Sequence, residues 1–122
     1  MITITENYVS FELAKLLKEK EFKGDCIMYY IDNELINVYD YNYPSMYELE
    51  NTKDDVVDAP TIQMAMKWLR EVHKIDVWVE GWNRRYKGYI HSEQRGEEAL
   101  FYEDSYEIAC EAAIKYCLEN LI

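Results

Sequence analysis

Three stretches of the chain repeat apolar residues at helical spacing, and two stretches between them alternate with the period of two that marks strands. Over residues 10–21, Phe11, Leu13, Ala14, Leu16 and Leu17 gather on one side. Over 60–73, Gln63, Lys67, Arg70 and Glu71, continued by Lys74, leave only a narrow polar stripe. The remainder, including Met64, Met66, Trp68 and Leu69, is apolar, as expected of a helix covered on two sides. Over 105–121, Glu107, Glu111, Lys115 and Glu119 recur every fourth residue as a solvated ridge. Tyr106, Ala109, Cys110, Ala113, Cys117 and Leu121 fall opposite, for burial. The three openings, "SFELA" at 10, "TIQMA" at 61 and "SYEIA" at 105, each supply a hydroxyl residue for the N-cap and Glu or Gln in the first turn. Asp104 with Glu107 offers the third helix an alternative capping-box register.

Between the first two helices, "CIMYYIDNELINVYDYNY" reads as a hairpin turning at Asp32-Asn33, residues that tolerate positive φ. Pairing Ile31 with Glu34 puts Ile27, Tyr29, Ile31, Ile36 and Val38 on one face and Met28, Tyr30, Leu35, Tyr39, Tyr41 and Tyr43 on the other. After the second helix, "IDVWVEGW" and "RYKGYIHS" form a second hairpin around Asn83-Arg84. Pairing Trp82 with Arg85 puts Val77, Val79, Tyr86 and Ile90 on one face. The other face sets Glu80 opposite Lys87, Trp78 opposite Tyr89 and Asp76 opposite His91, matches that stabilise an exposed sheet face. Gly81 is a candidate bulge that would invert Trp82. "ALFY" at 99 and "ITIT" at 2 are further candidate strands, and residues 43–60 form a long acidic connection, the one candidate for a mobile loop.

The order α-ββ-α-ββ-α predicts an α+β fold: one domain over 1–122, with an antiparallel sheet of four or five strands and three helices packed on one face. Because two helices are each followed by a hairpin pattern, an internal duplication is one reading of the order. The aliphatic strand face is expected to meet the helices. That leaves Tyr30, Tyr39, Tyr41, Trp78, Trp82 and Tyr89 on the opposite side, with Arg85 and Lys87 beside them. Tyr, Trp and Arg dominate binding energies at interfaces, and large apolar patches mark interaction sites, so these eight residues are the candidate partner-binding set. Cross-strand tyrosines that serve stability alone are the competing reading.

Charge narrows the partner. The 122 residues carry a net charge of −11, concentrated at −7 over 32–58 and −6 over 93–119, while 61–74 and 75–92 are slightly positive. Such a chain is expected to repel nucleic acid. No run reaches the length of a membrane span, and "MITITENYVS" lacks the regions of a signal peptide, so a cytoplasmic location is expected. Cys26, Cys110 and Cys117 show no paired spacing. The last two lie about 10.5 Å apart along a helix axis, beyond disulfide reach, so buried reduced thiols are expected.

Chemistry is sparse. His73 falls near a helix C-terminus, favourable against the macrodipole, and His91 faces Asp76 across a hairpin. Neither histidine has the neighbours of a metal or nucleophile motif, and Gly24, Gly81, Gly88 and Gly96 are too scattered for a phosphate loop. A catalytic, metal or cofactor role is therefore not expected. The acids of 48–58 and 93–111 support a runner-up role, an acidic DNA mimic that occupies the groove of a nucleic-acid-binding enzyme.

The phrases "NYVSFELAKLLKEK", "APTIQMAMKWLREVHKIDVWV" and "DSYEIACEAAIKYCLENLI" resemble small uncharacterised proteins of prophages and other mobile elements in gut bacteria, over about half the chain. That family has no established activity, so no residue role is carried over. The resemblance implies a cytoplasmic accessory protein acting on a host or phage protein. Together these readings predict a noncatalytic protein that binds a protein partner or a second copy of itself through the aromatic sheet face.

Overall fold

The computed structural model describes residues 3–37, 39 and 56–122. Its elements run α1 (Phe11–Glu19), β1 (Met28–Ile31), β2 (Glu34–Asn37), β3 (Val57–Asp58), α2 (Ile62–His73), β4 (Ile75–Trp82), β5 (Arg85–Ser92), β6 (Gly96–Glu103) and α3 (Tyr106–Asn120). All three helices among the described residues begin where a hydroxyl group can cap them. Ser10, Thr61 and Ser105 are extended N-caps whose side chains accept from the amides of Leu13, Met64 and Ile108. Ser105, not Asp104, is thus the cap of α3.

The strands form two antiparallel three-stranded sheets, ordered β2-β1-β3 and β4-β5-β6, rather than the expected single sheet of four or five strands. Both hairpins keep their expected registers, Ile31 opposite Glu34 and Trp82 opposite Arg85. Their turn residues Asp32, Asn33, Asn83 and Arg84 all take positive φ, between 51° and 69°. That is the geometry whose twist suits a two-residue hairpin loop. Residues 3–5 of the candidate strand at the N-terminus are not in a strand, Ile2 lies outside the described residues, and the segment that follows makes an isolated bridge from Tyr8 to Thr61. "ALFY" does lie in a strand, β6. The central strand comes first in one sheet and second in the other, so the two halves do not repeat one topology and the duplication reading loses its structural basis.

The organising element is α3. It packs across β4, β5 and β6 and against both other helices. Ala109, Cys110, Ala113, Ile114, Cys117 and Leu118 are all at most 1% exposed. Its polar ridge is not simply solvated, because most of it holds the N-terminal segment. Asn7 donates to Glu107 at 3.1 Å, and the Ser10 amide and hydroxyl each donate to the Glu111 carboxylate at 2.7 Å. Lys115 donates to Glu12 at 3.0 Å. These contacts advance together along both segments, so α1 lies parallel to α3. Residues 7–9 also bind the start of α2, through Val9 N–H to the Pro60 carbonyl and Ile62 N–H to the Asn7 carbonyl.

Small residues permit α3 to sit directly on the second sheet. A Cβ at Gly88 would lie 3.2 Å from the Ala113 Cβ and 3.3 Å from the Ala109 carbonyl oxygen. The bulge falls here and not at Gly81: the β5–β6 register shifts between Lys87 and Tyr89. Leu100 and Phe101 together stand against Gly88, and Leu100 turns into the core. On the same inner face, Ile75 and Ile90 are fully buried and Val77 and Val79 pack against the core. The valines of the second hairpin therefore look inward.

The first hairpin does the opposite of what was expected. Tyr30 packs toward the main core, its ring edge-on to Phe11 at 5.4 Å and its hydroxyl donating to the Val9 carbonyl at 2.6 Å. Tyr29, Ile31 and Ile36 form a separate small cluster with Val56 on the other face, and Ile27 is exposed. Tyrosine can do this because its apolar ring tolerates burial once the hydroxyl finds an acceptor.

Burial also sets the thiols. It pushes Cys110 up to about 11 and Cys117 up to about 12 from the ordinary 9.0. Two outcomes are expected. Gly88→Ala destabilises the fold by about 1–2 kcal/mol in urea unfolding, since the helix backbone must retreat from the added methyl. The stability held by the protonated thiols is complete below pH 9.0 and falls as pH rises toward about 12, because the unfolded thiols ionise first. A Cys110→Ala/Cys117→Ala variant, weaker at neutral pH, shows a shallower alkaline decline.

Candidate functional site

With α3 on one face of β4-β5-β6, where Tyr86 meets Tyr106, the other face of this sheet carries Trp78, Trp82 and Tyr89 of the second hairpin. Its cross-strand rows are Asp76 with His91, Trp78 with Tyr89, Glu80 with Lys87 and Trp82 with Arg85. Trp78 and Tyr89 stack with centroids 5.5 Å apart and planes 10° apart. Burial first, and the Glu80 carboxylate second, raise the Tyr89 hydroxyl above its ordinary pKa. Trp82, on the edge strand β4 at the hairpin tip, is 74% exposed.

Strand β6 contributes Tyr102, which strand alternation did not point to. Tyr102 stands opposite Lys87 and Ala99 opposite Tyr89. Residues three apart would point to opposite faces of a regular strand; the extra residue in the bulge puts both on the outer side. Tyr102 is 43% exposed and Phe101 88%. The signal in the sequence was the unbroken apolar run "ALFY", which cannot alternate cleanly and so hints at an irregular strand.

The cations associate with rings instead of carboxylates. The Lys87 ammonium lies 5.0 Å from the Tyr102 centroid and 6.0 Å from that of Tyr89, and the Arg85 guanidinium lies 5.8 Å from Tyr102. Such contacts contribute about 0.5–1 kcal/mol each at exposed sites. Lys87 and Glu80 are opposite in register, yet among the described residues Arg84, Arg85 and Lys87 make no ion pair. Trp82, Asn83, Arg85 and Tyr102 enclose a shallow depression of about 210 Å³.

Of the eight sequence-predicted residues, Trp78, Trp82, Arg85, Lys87 and Tyr89 are brought together here. Tyr30 is not among them, being turned into the core by its bond to Val9. Tyr39 is 77% exposed but belongs with Gly24, Asp25, Cys26 and Asp58 around a different depression. Tyr41 lies outside the described residues. A single aromatic face spanning both hairpins is thus not formed, because the hairpins belong to different sheets.

Elsewhere, His73 packs edge-on to Trp68 at 4.6 Å, and burial lowers its pKa. His91 keeps its place opposite Asp76. Among the described residues no group of three or more His, Cys, Asp or Glu side chains is arranged to hold a metal ion. Among them, too, no helix is long and apolar enough to cross a membrane. No protein-family model, no curated protein and no solved structure matches the chain.

The difference in burial between the tryptophans gives a direct check. Trp82→Ser changes unfolding free energy by no more than about 0.5 kcal/mol, as for other exposed positions. Trp68→Ser, at a site only 8% exposed, costs about 3–5 kcal/mol. Urea unfolding of the two variants measures both.

Proposed function

We propose that this protein is a noncatalytic binding protein that engages a protein partner through the outer face of β4-β5-β6. The observation that carries this reading is the exposed aromatic surface of Trp82 and Tyr102 beside the Trp78–Tyr89 stack. Among the described residues, none covers Trp82, which stays 74% exposed. The rigid ladder beneath these side chains lowers the entropy lost when a partner orders them.

The resemblance to proteins of mobile elements gives this reading a setting, an accessory protein acting on a host or phage protein in the cytoplasm. A second copy of the chain is one form the partner can take. The acidic-decoy role draws less support, because Glu98, Glu107 and Glu111 of the proposed strip are engaged by Arg95, Asn7 and Ser10 within the fold. The acids of 48–55 lie outside the described residues.

Photo-crosslinking decides the matter. A benzophenone amino acid at position 82 gives discrete protein adducts in cells, lost on adding Tyr102→Ser, while the same probe at exposed Lys67, on α2, gives none of them. Equal adducts from both positions, or none from position 82, refute the proposal. Self-adducts that coincide with a dimer in sedimentation identify a second copy as the partner.

A further inference from the structure

The outer face is electrically divided along its length. At the hairpin tip, Arg85 and Lys87 lie over Tyr102 beside Trp82, Arg84 sits in the turn itself, and Glu80 is the one carboxylate in those cross-strand rows. At the far end stand Asp76 and Glu97, beside His91. Between them lies the uncharged Trp78–Tyr89 stack. In a chain of net charge −11, three cations without an ion pair among the described residues are clustered in sequence at this tip, two of them on the aromatic surface. Arg85 and Lys87 are held there by the Tyr102 ring, which orients them without neutralising them.

We infer that the partner's docking element is a short extended segment of protein with carboxylates at one end and apolar side chains following them. The carboxylates meet Arg84, Arg85 and Lys87, and one side chain enters the depression between Trp82 and Tyr102. The apolar part crosses the Trp78–Tyr89 stack. The inference rests on the proposed binding role of this face and adds the chemistry and polarity of its occupant.

Charge complementarity selects protein over nucleic acid. A single strand also stacks on aromatic rings and pairs with cations, but it carries one charge at every nucleotide. Its phosphates past the tip would meet Asp76 and Glu97, and the net charge of the whole chain would oppose its approach. A peptide can confine its charge to the end that finds the cations. At physiological ionic strength the screening length is about 8 Å, so such a segment responds mainly to the tip.

The test pans random decapeptides displayed on phage against the full chain. Selected peptides are then measured by fluorescence anisotropy with wild type, Arg84→Gln/Arg85→Gln/Lys87→Gln and Trp82→Ser. All the substituted groups lie at the surface, and circular dichroism checks that each variant is folded. The expected peptides carry clustered Asp or Glu beside apolar residues. Their affinity falls at least about tenfold in the triple variant, falls with added salt, and is lost in Trp82→Ser. Neutral or basic peptides that need Trp82 but ignore the triple variant overturn the acidic occupant and leave the binding role standing. Failure to select any peptide that depends on Trp82 overturns both. Oligothymidylate that binds more tightly than every selected peptide, with the same dependence on the cations and Trp82, overturns the peptide in favour of nucleic acid.

Discussion

The close approach of α3 to β5 is the contact on which the rest of the molecule depends. A helix that packs on a sheet through Gly88, Ala109 and Ala113 can lie nearer than one separated by larger side chains. Its neighbouring residues then reach the core from several directions. Ile114, Cys117 and Leu118 are fully buried. Because α3 also supports α1 and α2, any outward shift at Gly88 would loosen contacts far from the sheet. The bulge at Leu100 and Phe101 belongs to the same constraint, since it occurs opposite the one β5 residue without a side chain.

Polar contacts refine this arrangement. Glu111 binds both the amide and hydroxyl of Ser10, the residue that caps α1, so a single carboxylate joins a helix start to the central helix. Charge-assisted hydrogen bonds of this kind contribute about 1.5–3 kcal/mol each. The spacing of Glu107, Glu111 and Lys115 matches successive points along the N-terminal segment, which fixes the parallel direction of α1 against α3. Part of the chain's acidity is thus architectural.

The outer sheet face follows from covering the inner one. Once Val77, Val79 and Ile90 meet α3, the period of two obliges Trp78, Trp82, Lys87 and Tyr89 to point away. The bulge then adds Tyr102 to their side. Rings hold Arg85 and Lys87, which make no ion pair among the described residues, and together these give the face both apolar area and a positive end. An acidic chain can in this way present one local surface suited to an acidic segment.

Local rules made much of this legible in advance. Hydroxyl caps fixed the helix starts, and turn residues able to adopt positive φ fixed both hairpin registers, since each depends on only a few neighbouring residues. Within the second hairpin, register and alternation were enough to separate Val77 from Trp78. Sequence also brought out the net acidity and the aromatic richness from which five of the binding candidates were read. Tertiary structure alone decided that the hairpins belong to separate sheets and that Tyr30 turns inward to the Val9 carbonyl. It decided equally that β6 bulges at Gly88 and brings Tyr102 to the outer face. Those outcomes turn on which distant surface a strand meets and how closely a helix can approach it. Alternation names two faces of a strand, but only packing determines what covers each.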